Sequence, residues 1–137
     1  MDKILIALNL IMDFVEAYDN IDEIGITDML YNSGFEEYEV RQALAFLDFG
    51  NFSEINGIRY FSPSEKDKFS EDAMQYIQKL QLSGTVDLMI IEEVVDRCME
   101  SDIKVDVEMV KQTLLVTLIE NRKFYIDIDK NVDELLN

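Results

Sequence analysis

Apolar residues recur at helical spacing from the start of the chain. Ile4, Leu5, Leu8, Ile11, Met12 and Val15 form one stripe, widened by Leu10 and Phe14, which predicts a well-buried first helix over residues 3–17. The stretch EIGIT, residues 23–27, is short and β-branched and reads as extended chain. A short helix from about Asp28 to Ser33 is expected next, with Met29 and Leu30 inward, Thr27 as N-cap and Gly34 as the left-handed stop. A further helix over about residues 36–48 opens on Glu36, Glu37 and Glu39, where the helix dipole favours carboxylates. It keeps Val40, Leu44 and Leu47 on one face.

The period then changes. In NFSEINGIRYF, residues 51–61, Asn56-Gly57 lies between β-favouring runs, and this dipeptide suits the positive φ angles of a tight hairpin turn. Strands are expected at 52–55 and 58–61. Helix, strand, helix, helix, hairpin is the order of a winged helix, a relative of the helix-turn-helix.

Pro63, capped by Ser62 or Ser64, opens an expected helix over about residues 64–81 with Phe69, Ala73, Tyr76, Ile77 and Leu80 inward, and Gly84 ends it. Thr85 is expected to cap a helix reaching Ser101, and Asp106 another reaching Arg122 with Val107, Val110, Leu114 and Leu118 inward. The tail alternates Phe124, Ile126 and Ile128 like a strand, then spaces Val132, Leu135 and Leu136 like a helix, so both readings stand there. With no Pro-rich or Gly/Ser-rich linker, the expected architecture is mainly α with a small β-hairpin. A winged-helix-like half, 1–62, packs with a three-helix half, 63–137, in a single compact domain.

On the helix from Thr85, Leu88, Ile91, Val94, Val95 and Cys98 fall on one side and form the expected core face. Val86, Met89 and Ile90 fall on another, bordered by Glu93 and Asp96. Two readings of this second stripe stand. Either the helix is buried all round, or the stripe is an apolar docking patch in an acidic rim. The candidate interaction residues are therefore Val86, Met89, Ile90, Glu93 and Asp96.

Charge narrows the choice of partner. Asp and Glu number 29 against 12 Lys and Arg, with no His, for a formal net charge of −17. Duplex DNA repels such a surface, because binding to it draws on cations that displace phosphate counterions. The expected reading helix offers Arg41 and Gln42 among Glu36, Glu37, Glu39 and Asp48, a poor surface for phosphates or base edges. Anionic membranes are disfavoured on the same ground. The apolar run Ile4 to Val15 is interrupted by Asn9 and Asp13 and falls short of the roughly 20 residues a membrane span needs.

Chemistry is narrowed as well. Without His there is no Ser-His or Cys-His pair and no imidazole metal ligand, and the single Cys98 makes neither a CxxC motif nor an internal disulfide. Cys98 is expected to be a small core residue, and its solitude fits a cytoplasmic location. The five glycines are too scattered for a phosphate-binding loop. DIDKNVD from Asp127 resembles the start of a calcium loop, but Val132 stands where that loop needs Gly. No catalytic residue, cofactor site or metal site is expected.

Four segments together resemble the bacterial Smg proteins: QALAFLD (42–48), IRYFSPSEKDK (58–68), DLMIIEEVVDRCMESD (87–102) and VEMVKQTLLVTLIEN (107–121). The order and spacing match over most of residues 25–121. Phe46 and Gln112 stand where members of that family often carry Trp, and the tail after Asn121 differs. The resemblance implies a small, mainly helical protein and transfers no catalytic residue, since the family has no assigned activity. The expected function is a non-enzymatic, acidic protein-interaction module that binds another protein, a basic one by charge. The alternative is a nucleic-acid-associated protein, either a binder through a local site or a DNA mimic presenting its acidic face.

Overall fold

The computed structural model describes the backbone of residues 2–47 and 59–136 and the side chains of residues 3–47 and 59–121. Seven helices follow one another among these residues: α1 (Asp2–Ala17), α2 (Glu23–Asn32), α3 (Glu37–Leu44), α4 (Pro63–Lys68), α5 (Glu71–Ser83), α6 (Leu88–Met99) and α7 (Val107–Leu136). The mainly helical expectation holds. The winged helix does not find support: no strand occurs among the described residues, only an isolated parallel bridge between Phe69 and Val105.

Each difference has a local cause. EIGIT is helical because Asp22, not Thr27, is the N-cap: its carboxylate accepts the Gly25 N–H at 2.8 Å, so α2 starts at Glu23. Ile26 and Leu30, one turn apart, then both reach the core. At its other end α2 closes as expected on Gly34, at φ +97. The Gly34 and Phe35 N–H groups bond back to the carbonyls of Tyr31 and Leu30, at 3.0 and 3.2 Å, a Schellman closure.

The expected turn at Asn56-Gly57, with residues 48–58 around it, lies outside the described residues. Residues 59–61 lie inside them and form no strand. Side chains of α5 take up the Arg59 backbone instead: its N–H donates to Gln81 Oε1 at 2.8 Å, and its carbonyl accepts from Gln78 Nε2 at 3.5 Å.

The expected helix over 64–81 is two helices. Ser62 and Glu65 form a reciprocal capping box with Pro63 at the first position of α4. Phe69 and Ser70 then turn extended, and Ser70 caps α5 by accepting the Ala73 N–H at 3.1 Å. The break is fixed by Val105, which donates to Lys68 O at 2.8 Å and accepts from Ser70 N at 2.9 Å. The C-terminal half therefore holds four helices rather than three. Asp87 caps α6 in place of Thr85, accepting the Ile90 N–H at 2.8 Å, whereas Asp106 caps α7 as expected. The tail resolves as helix, carrying α7 through to Leu136.

Two clusters of buried residues meet along α1. Ala7, Leu8 and Ile11 pack with Ile26 and Leu30 of α2 and Val40 and Ala43 of α3. Met12 and Val15 belong to a larger cluster with α5, α6 and α7, centred on Ile77, Ile91, Val95, Val110 and Leu114. Ile21, Phe46, Leu47 and Leu115 pack against both. The first helix is thus the spine to which both halves attach.

Buried charge ties α1 to its neighbours. The Lys111 ammonium on α7 donates to Asp13 at 2.9 Å and to Glu16, both on α1, above the Tyr76 ring. The Tyr76 hydroxyl donates to Met12 O at 3.1 Å. Near the chain start, Glu39 of α3 is almost fully buried. It accepts the Glu36 N–H at 2.9 Å and pairs with Lys3 at 3.1 Å. The backbone N–H and then Lys3 hold the Glu39 carboxyl below the ordinary carboxylate value. A carboxyl depressed on folding adds stability above its unfolded pKa and loses it as pH falls through the folded one. Glu39→Gln is therefore expected to flatten the fall in unfolding midpoint between about pH 5 and about pH 3. An unchanged acid limb in urea titrations would place that dependence elsewhere.

Candidate functional site

The sequence directs attention to α6, and the structure divides its residues sharply. Ile91, Val94, Val95 and Cys98 are buried against α5 and α7, as their spacing predicts. Leu88, expected on that same face, is 54% exposed. It occupies the first position of α6, directly after the Asp87 cap and the buried Thr85 and Val86, and its place on the helix wheel does not bring it into the core.

The second stripe is also divided. Val86 precedes the helix and is buried in the large cluster. Ile90 is half-buried and packs on that cluster. Met89 is 81% exposed, and Asp96 is exposed. Glu93 is half-buried and tied down by Arg97 at 2.9 Å and Asn121 at 3.4 Å. The five candidate residues thus do not form one open patch. What the structure does bring to the surface at the start of α6 is the pair Leu88 and Met89.

That pair stands on a braced base. Arg59, its side chain 11% exposed, reaches Glu92, one turn along α6 from Leu88. Its Nε and Nη2 donate to the Glu92 carboxylate at 2.6 and 3.1 Å. Nη1 and Nη2 donate to Glu65 of α4 at 3.1 and 2.9 Å. The guanidinium also lies over the Phe61 ring, 4.9 Å from its centroid. Glu92 and then Glu65 raise the Arg59 pKa, and Arg59 in turn holds Glu65 below the ordinary carboxylate value. Between the clamped Arg59 and the buried Phe61 stands Tyr60, 92% exposed. Sequence reasoning singled out neither Tyr60 nor this clamp; its one available signal was an arginine close before a capping-box glutamate.

A second arginine sits at the far end of the same helix. Arg97 Nη2 donates to Glu93 at 2.9 Å and to Glu120 of α7 at 2.6 Å. Glu120 is the main cause of its raised pKa.

Other groups fall into structural roles. Burial pushes the Cys98 thiol up, a side-chain bond with Thr113 opposing it only in part, and the residue sits in the core as expected. Between the end of α1 and the end of α5, Tyr18, Asn20, Ile21, Leu82 and Ser83 line a shallow cleft. Lys79 there donates to the carbonyls of Glu16 and Tyr18 at 3.0 and 3.5 Å and pairs with Asp19 at 3.2 Å, closing the end of α1. Among the described residues no group of three or more acidic or thiol side chains converges as a metal site would require, and no helix is long and apolar enough to cross a membrane.

A family model described as a protein of unknown function, DUF494, matches residues 4–135. The chain belongs to that family. This is the Smg family domain, so the resemblance carried by QALAFLD, IRYFSPSEKDK and the two helical segments extends across nearly the whole chain. The DUF494 match reaches both arginine clamps and the exposed pair on α6. No curated protein and no solved structure matches the chain significantly.

Proposed function

We propose that this DUF494 protein is a non-enzymatic protein-interaction module that docks its partner on the start of α6. The observation that carries the reading is the exposure of Leu88 and Met89 at the start of a helix that Ile91, Val94, Val95 and Cys98 lock into the core. Exposed apolar side chains on a rigid support are the common anatomy of a docking spot, since little ordering entropy opposes binding. The non-enzymatic part rests on the sequence, which has no His and a single, buried Cys and so offers no imidazole-activated nucleophile.

Substitutions at adjacent positions test the reading. Met89→Ser is expected to leave the unfolding midpoint unchanged and to abolish capture of the native partner in an affinity pull-down read by mass spectrometry. Ile90→Glu, aimed at the neighbour that packs on the core, is expected to cost about 1–3 kcal/mol of stability. Equal capture by wild type and Met89→Ser would remove α6 from the interface. The nucleic-acid alternative predicts a salt-sensitive shift of labelled DNA at about 50 mM salt. The charge of −17 weighs against it.

A further inference from the structure

Charge around the exposed pair is unevenly balanced, and the imbalance has a direction. Arg59 is shared by two carboxylates, Glu65 and Glu92, and Arg97 by two more, Glu93 and Glu120. Each clamp therefore keeps a net negative charge after its cation is spent. Asp87 lies exposed beside Leu88, Asp96 lies exposed further along α6, and Glu100 lies exposed at its C-cap. Met89, Glu93, Asp96 and Glu100 follow one another at intervals of four, three and four residues, which places them in a line along a single side of the helix. The line is apolar at its start and anionic along the rest.

We propose that this face binds a cationic amphipathic helical segment of another protein, seating an apolar side chain on Leu88 and Met89 and lysines or arginines along Asp96 and Glu100. The inference rests on the interaction-module reading and adds the chemistry of the partner. Charge complementarity selects it: a second copy of this chain would bring another −17, and an acidic or nucleic-acid partner would meet carboxylates at every turn. Arg59 reinforces the selection, because it is held inward by Glu65 and Glu92 and cannot turn outward to greet an anion without breaking its clamp.

The test uses fluorescence anisotropy with the full chain and synthetic probes. One is an amphipathic Leu/Lys helix of about 18 residues, five turns long; the other is its Leu/Glu counterpart. The Leu/Lys peptide is expected to bind and the Leu/Glu peptide not to. Leu88→Ser with Met89→Ser should weaken binding about tenfold at constant stability. Asp96→Asn with Glu100→Gln should weaken it as well and reduce its loss between roughly 50 and 500 mM salt. Ile24→Ser, at an exposed position of α2, should change nothing. Equal binding by wild type and both double variants would reduce the effect to general attraction by an acidic surface and overturn the proposal. If Met89→Ser abolishes native capture while the Leu/Lys peptide neither binds nor competes, the partner is not cationic: the interaction module stands and this inference falls.

Discussion

Replacing Phe69 by alanine is expected to lower the unfolding free energy by about 3–5 kcal/mol, the range for deleting a buried aromatic ring. Phe69 is 1% exposed and packs its ring against Phe61, centroids 6.1 Å apart and tilted by 48°. Its backbone sits at the break between α4 and α5, paired with Val105 ahead of α7. The residue therefore joins the segment leading into α4 through its ring and the entry to α7 through its backbone. Phe69→Leu, which keeps most of the apolar volume, should cost about 1 kcal/mol. Urea denaturation followed by far-UV circular dichroism measures both. A loss below about 1 kcal/mol for Phe69→Ala would mean that the break is not anchored in the core.

The same residue shows why the helix boundary was hidden in the pattern. Phe69, Ala73, Tyr76, Ile77 and Leu80 keep helical spacing, so periodicity alone runs one helix through the break. All five are buried, but Phe69 gets there from an extended backbone. The correcting signal was present in Ser70-Glu71-Asp72, a cap followed by first-turn carboxylates. EIGIT misleads for the opposite reason: its β-branched residues suggest a strand, while one Asp22 carboxylate nucleates the helix that buries Ile26. The interior of α1, α5, α6 and α7 was legible because a regular stripe against a partner helix leaves few arrangements. Leu88 was not, because a helical wheel assigns a direction and cannot say which positions a neighbouring helix covers. Met89, already legible off the core face, completes the exposed pair that carries the functional reading. The Arg59 clamp lay further out of reach, since its contact with Glu92 spans 33 residues of sequence.

Arg59→Met is expected to cost about 2–4 kcal/mol, because it removes the cation and leaves two facing carboxylates at a partly buried site. The guanidinium makes four charge-assisted bonds to Glu65 and Glu92 in a fixed planar fork. Glu65 also caps α4 by accepting the Ser62 N–H, so loss of Arg59 loosens that helix start as well as the link to α6. Arg59→Lys keeps the charge without the fork, and should recover only part of the loss. Arg59→Met combined with Glu65→Gln should lose less than the two single changes together, which a double-mutant cycle would show as a coupling above about 1 kcal/mol. The pH dependence supplies an independent sign. Arg59 is the leading cause that holds Glu65 low, so in the wild type this pair contributes stability above the ordinary carboxylate pKa and loses it as pH falls through the depressed one. In Arg59→Met that acid-side loss should shrink, with wild type and variant converging toward about pH 2–3. Parallel acid limbs for the two proteins would show that Glu65 does not depend on Arg59 for its charge, and would take the clamp out of the base on which Leu88 and Met89 stand.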